Sequence, residues 1–180
     1  MERVRMIFSG AGGQGVITAA IILAEAAVKH EGLIAVQSQS YGPEARGGAT
    51  RSDVIISGEE ILFPRVIQAN VLTCLTQEAY NKYASIIRPG GLLVTDSRHV
   101  KTERKVDARQ KELPLYEQVM EKIGNQIVFN ICMLGAVNHL VGLVDPGSIL
   151  KILEERLPPD FLEMNNAALQ LGIRLAGDAA

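Results

Sequence analysis

The chain has 180 residues, enough for one domain with a substantial buried core. Its formal net charge of −2 leaves no electrostatic footprint for nucleic acid or an anionic membrane, and 4% aromatic content without tryptophan excludes a base-stacking platform. Apolar residues make up 47%, yet no run reaches the roughly 18–20 residues needed to cross a bilayer.

The opening, "MERVRMIFSGAGGQG", does not read as a signal peptide, because its short apolar run leads straight into a glycine turn. Residues 3–8 predict a short buried strand. A helix is expected over residues 13–30, apolar around most of its circumference and so covered on more than one side. Gly32 supplies its stop, and "LIAVQS", residues 33–38, reads as a second strand, which makes the opening a βαβ unit. Residues 39–49, "QSYGPEARGGA", lack periodicity and carry three glycines and a proline, the composition of a functional loop.

"TRSDVIIS" then reads as a strand, turned at Ser57 and Gly58 into "EEILFP". "ANVLTCLT" is a further buried strand, followed by a helix over residues 77–87, a turn at "RPGG" and the strand "LLVTDS". After "ERKVDARQ", a polar strand or loop, helices are expected over residues 115–123, 130–141, 146–157 and 161–175; Asp145 and Pro146 form an N-cap and first-turn proline. The pattern predicts a single domain over residues 1–180. Its class is α/β, a three-layer α/β/α, Rossmann-like arrangement with a mainly parallel or mixed sheet and helices gathered at the carboxyl end.

Gly10, Gly12 and Gly15 fit G-x-G-x-x-G, which lets the backbone turn sharply and presents a helix amino terminus to an anion. A dinucleotide site also wants an acidic residue about 20 positions on, at the end of the second strand. Ala35, Val36, Gln37 and Ser38 stand there, and the next carboxylate is Glu44, inside the loop. Gln14, placed in the first turn of an apolar helix, argues that the turn does more than join strand to helix.

Other candidates are plainer. Cys74 and Cys132 lie in separate apolar runs, read as small buried hydrophobes, and fit a reducing cytoplasm. His30, His99 and His139 lack ligand spacing, so no metal site is expected. Asp96 and Ser97 end a strand, where either a site or an N-cap fits. Asp53 alternates outward, toward surface or interface, and "KTERK" reads as a solvated turn.

Taken together, "GAGGQGVITAAIILAEAA", "SQSYGPEARGGATRSDVIIS" and "ILFP" resemble the gamma subunit of 2-oxoacid:ferredoxin oxidoreductases, and "YGPEARGG" resembles the 2-oxoglutarate type. Weaker echoes in "VLTCLTQEAYNKYASIIRPGGLLVTDS", "NICMLGA" and "EMNNAALQLG" carry the resemblance over nearly the whole chain. The resemblance implies oxidative decarboxylation of a 2-oxoacid to its acyl-coenzyme A with reduction of ferredoxin. It further implies that thiamine diphosphate, Mg and iron–sulfur clusters belong to alpha, beta and delta-type partner subunits. Two cysteines cannot ligate such a cluster, and the pair Asn165–Asn166 has no preceding GDG, the other half of a thiamine diphosphate fingerprint.

By the same resemblance this chain has no catalytic residue and is inactive alone. It lines the coenzyme A and substrate side through Gly10, Gly12, Gly13, Gln14 and Gly15 and through Ser40, Tyr41, Arg46, Gly47 and Gly48. Arg46 either contacts a carboxylate or phosphate or braces the loop against Glu44 or a carbonyl; Tyr41 either covers the cleft or pins the loop. The apolar first helix beside the long loop implies a face covered by a partner, and a homodimer of the isolated chain stays open. Two other readings stay open: an independent nucleotide-binding oxidoreductase, and a structural assembly subunit.

Overall fold

The computed structural model of the chain describes residues 2–40, 48–102 and 106–179. In chain order it contains β1 (Val4–Gly10), α1 (Val16–His30), β2 (Ile34–Ser40), β3 (Thr50–Ser57), β4 (Ala69–Cys74), α2 (Gln77–Tyr83), β5 (Ile87–Asp96), β6 (Ala108–Leu113), α3 (Leu115–Lys122), α4 (Phe129–Val141), α5 (Pro146–Arg156) and α6 (Leu162–Asp178). The strands form one sheet in the order β2-β3-β1-β4-β5-β6. The pairings β1–β4, β4–β5 and β5–β6 are parallel, whereas β2–β3 and β3–β1 are antiparallel.

The strand period of two builds both faces. Met6 and Phe8 of β1 enter the larger core with Val54 and Ile56 of β3, while Ile7 and Ile55 enter the smaller one. Residues from α1, α3, α4, α5 and α6 fill the larger core; the smaller is closed by Ala79, Tyr80 and Tyr83 of α2 and by Val66. The three layers are therefore unequal, and one side of the sheet is thinly covered.

Two expectations need correction. The opening is not a simple βαβ unit, because β3 lies between β1 and β2 and runs antiparallel to both. Its apolar residues serve both faces, so it belongs between two strands rather than at a half-exposed edge. The helix expected from residue 13 starts at Val16, because Gly13 and Gly15 have φ of 86° and 72° and break helical geometry there. The other bounds shift by a few residues, and "RPGG" is absorbed into β5, beside an irregular register between Ala69 and Val71. No described helix is long and apolar enough to cross a membrane.

Candidate functional site at the carboxyl ends of the parallel strands

At the carboxyl end of β1, buried Ser9 donates its Oγ–H to the Thr73 carbonyl at 2.6 Å, and the Leu75 N–H donates to the Ser9 carbonyl at 2.9 Å. These bonds lock the ends of β1 and β4 together and fix where the glycine turn departs. Gln14 stands before α1, and its side-chain Oε1 accepts the Ala11 N–H at 2.7 Å while its own N–H reaches the Ala11 carbonyl at 3.2 Å. The first-turn polar residue inferred from sequence is thus a brace across the turn. Among the described residues no side chain caps α1, whose N-cap is Gly15, so this end keeps the partial positive charge of a helix start.

Asn130, at the start of α4, reaches across from the other wall. Its Nδ2 donates to the Gly15 carbonyl at 3.2 Å, and its Oδ1 is buried without a hydrogen-bond partner. A Cβ on Gly15 would fall 2.5 Å from Asn130 Nδ2, so glycine is required by contact as well as by φ. Between the turn and helices α4, α5 and α6 lies a cleft of about 290 Å³ with Gln14, Thr18, Asn130 and Asn165 among its polar lining. Leu153, Leu157, Ile127 and Phe161 supply apolar walls, and among the described residues no charged side chain lines it. Such a cleft suits a neutral, amide- or hydroxyl-bearing group.

The second motif starts beside the first. Gly10 pairs with Thr50 in the β1–β3 register, and a Cβ on Gly12 would lie 4.0 Å from Thr50 Oγ1. Ser40 ends β2 opposite Arg51, and Gly48 is half-buried in a bend just ahead of β3. Tyr41, Arg46 and Gly47 lie outside the described residues. The foot of this segment is held by a group that the sequence reading missed. Arg51 donates to both carboxylate oxygens of Asp53 at 2.6 and 2.8 Å and to the Val66 carbonyl at 2.9 Å. Its guanidinium lies 5.5 Å from the Tyr83 ring centroid, and Tyr83 OH donates to the Ala49 carbonyl at 3.2 Å. The Arg51 and Asp53 side chains are only 16% and 15% exposed, which corrects the outward, surface reading of Asp53. The spacing R-S-D, i and i+2 on one strand face, was the available signal.

Asp96, fully buried at the end of β5, is a cap. Its Oδ1 accepts the Tyr116 N–H in the first turn of α3 at 2.8 Å, and its Oδ2 accepts the His99 N–H at 3.2 Å and meets His99 Nδ1 at 2.7 Å. Tyr116 OH in turn lies 3.4 Å from Gln126 Oε1 on the cleft wall. Both cysteines are buried; burial pushes the Cys74 and Cys132 thiols up to about 12, far from nucleophilic range. Among the described residues no three His, Cys, Asp or Glu side chains converge as metal ligands.

The geometry bears on the dinucleotide question. With β3 interposed, the end of β2 lies two strand spacings, about 10 Å, from β1. Even an acid there would stand a strand further from the glycine turn than in an adjacent β1–β2 pair.

Comparison with known proteins adds four findings. The family description "Pyruvate ferredoxin/flavodoxin oxidoreductase" matches residues 5–175. The 2-oxoglutarate synthase subunit KorC of Methanocaldococcus jannaschii is 42% identical over 176 residues, covering 97% of this chain and 94% of that protein. The crystal structure of the gamma subunit of a keto/oxoacid ferredoxin oxidoreductase from Geobacter sulfurreducens superposes with a TM-score of 0.89 at 41% identity, covering 98% of this chain and 99% of that one. The fold also recurs, with TM-score 0.88 and 21% identity, in the 2-oxoglutarate:ferredoxin oxidoreductase of Magnetococcus marinus, solved with 2-oxoglutarate, coenzyme A and succinyl-CoA bound. That match covers all of this chain and 32% of the longer one.

Proposed function

The chain belongs to the pyruvate ferredoxin/flavodoxin oxidoreductase family, and from that premise we propose that it forms the coenzyme A and substrate side of a 2-oxoacid:ferredoxin oxidoreductase complex, with 2-oxoglutarate as the 2-oxoacid. The net reaction joins 2-oxoglutarate and coenzyme A to give succinyl-CoA, CO2 and a proton, and two oxidised ferredoxins each take one electron. The chemistry of carbanion and electron transfer rests on thiamine diphosphate, Mg and iron–sulfur clusters in companion subunits. The residues of this chain bind and orient.

The observation that carries this reading is the convergence of the two motifs: Gly10 of the glycine turn lies directly across from Thr50, at the foot of the "YGPEARGG" segment. The neutral cleft beside them fits an amide-bearing chain. A phosphate or carboxylate end needs a cation from elsewhere, and Arg46 in the motif is the residue we assign to it.

The test is Arg46→Ala in the complex reassembled with its companion chains. Loss of a charge-assisted contact of about 1.5–3 kcal/mol lowers kcat/KM by roughly ten- to a hundred-fold. Arg46→Lys recovers part, since lysine keeps the charge and loses the planar fork. Wild-type turnover by Arg46→Ala would leave the residue a loop brace and favour a structural assembly subunit. Failed assembly would move Arg46 to the interface.

A further inference from the structure

The apolar first helix does not provide the partner-covered face that its sequence suggested. Apart from Val28, its apolar residues are buried or partly buried within the chain, against the sheet, α4 and α5. Exposed apolar surface concentrates elsewhere. Leu62, Phe63 and Ile67, within six residues of the connection from β3 to β4, are 82%, 53% and 72% exposed. The same connection sends Val66 into the smaller core, where Arg51 holds its carbonyl, so the segment is anchored while its neighbours face out. It crosses the thinly covered side of the sheet, where, among the described residues, α2 is the one α-helix contributing to the core.

Charge accompanies this surface. Phe63, Ile67, Arg5, Arg65 and Arg88 line a groove of about 440 Å³ with Gln68 and Asn70. Among the described residues no carboxylate pairs with any of these three arginines. Glu2 and Glu59 stand on the adjoining side of Arg5, away from the groove. In a chain of net charge −2, three unpaired guanidinium groups around exposed aromatic and aliphatic side chains are a local excess. Aromatic residues and arginine are also the types enriched at the centres of protein interfaces, and large apolar residues massed on one surface mark such sites.

We propose that Leu62, Phe63 and Ile67, ringed by Arg5, Arg65 and Arg88, dock a companion subunit of the same complex through an apolar patch that carries carboxylates. The assignment rests on the complex proposed above. Two observations favour a companion chain as occupant: the unpaired arginines, which call for an acidic surface, and the recurrence of this fold as 32% of a longer chain in the Magnetococcus marinus structure. In that longer chain this fold is joined to further polypeptide, and in the complex proposed here a companion subunit takes that part. The groove lies at the amino ends of β1, β4 and β5, where Arg5, Asn70 and Arg88 sit, at the opposite end of the strands from the glycine turn. A partner can grip this face and leave the cleft open.

The test coexpresses the tagged full chain with its companion subunits and measures their co-elution on gel filtration at low and high salt, alongside turnover per assembled complex. Phe63→Ser/Ile67→Ser should lower the co-eluting companion at least tenfold. Arg65→Glu/Arg88→Glu should do the same and should abolish the salt dependence seen for wild type. Val28→Ser, at an exposed apolar site on α1, should assemble normally. Circular dichroism of each purified variant confirms folding, and the charge reversals, being fully on the surface, serve if the serine pair does not fold. Complexes that do form should turn over at the wild-type rate, which separates this face from the cleft. Wild-type co-elution by both double variants would overturn the docking surface while leaving the functional reading intact. A self-dimer lost in Phe63→Ser/Ile67→Ser would make a second copy the occupant and overturn it likewise. Wild type that binds no companion would overturn both readings together.

Discussion

Replacing Gly15 by alanine tests how the cleft is built. At φ 72°, an L-residue pays about 1–2 kcal/mol for left-handed backbone. The new Cβ would also sit 2.5 Å from Asn130 Nδ2 and 2.8 Å from Cγ, an overpacking that costs about 1–3 kcal/mol. Gly15→Ala should therefore destabilise the chain by about 2–5 kcal/mol. At about 2–4 °C per kcal/mol for a chain of this size, the midpoint of a typical 3 kcal/mol loss moves by about 6–12 °C. Asn130→Ala is different. It forfeits the 3.2 Å bond to the Gly15 carbonyl, about 0.5–1.5 kcal/mol, but also removes a buried carbonyl oxygen without a partner, worth about 1–3 kcal/mol. The net should lie between a loss of about 0.5 and a gain of about 2.5 kcal/mol. In the double variant the side-chain clash is gone and mostly the backbone term remains, so the two changes should couple by at least about 1 kcal/mol. Urea unfolding of the four proteins, followed by circular dichroism, measures this cycle. Additivity within about 0.5 kcal/mol, or a Gly15→Ala cost below about 1 kcal/mol, would refute the contact between the turn and α4.

Two further outcomes are expected. Gly172→Ala should cost more than about 3 kcal/mol in urea unfolding, because its Cβ would lie 1.9 Å from the Cys132 carbonyl oxygen on α4; Gly32→Ala, with φ 64° and open space, should cost only about 1–2 kcal/mol, and equal costs would contradict the close α4–α6 crossing. The Arg156 hydrogen bond holds the Glu25 carboxyl below its ordinary 4.5, so this pair stabilises the fold above that value and the contribution is lost as pH falls through the lower, folded-state value. Glu25→Gln should accordingly lower stability by about 0.5–1 kcal/mol near pH 6, and the difference should shrink as pH falls below the ordinary carboxylate range; a pH-independent difference would show that the pair contributes no titrating stability.

The sequence was most legible where one physical rule acted alone. Alternation placed β3 at residues 50–57 without error, and the Asp145–Pro146 signal began α5 correctly. Glycine spacing located the turn. What it did not reveal was that β3 enters between β1 and β2, since pairing is decided by which open edge is free and not by local pattern. The same limit hid Arg51. Its role depends on Val66 and Tyr83, which reach it only in the folded chain, from 15 and 32 positions away. The exposed apolar stretch from Leu62 to Ile67, which begins within "ILFP", is not legible as surface from pattern alone, because Val66 within it is buried while Leu62, Phe63 and Ile67 are exposed.

The interposed β3 also explains why a G-x-G-x-x-G turn here need not bring the usual chemistry. In a dinucleotide fold the turn supplies amides to a pyrophosphate, and the end of the second strand supplies the acid for the ribose. In this chain β2 is displaced by a strand width, and its end, "QSQS", carries no acid. The space next to the turn is taken by the foot of the "YGPEARGG" segment instead. The turn therefore keeps the first half of the geometry, a helix start whose N-cap Gly15 has no side chain to cap it, while the second half, an acid at the end of β2, is missing. Among the described residues the wall of the cleft is neutral, and the function proposed above assigns the missing charge to Arg46 and to companion chains. A wall of this kind shapes and orients what binds against it, which is the role proposed for this subunit.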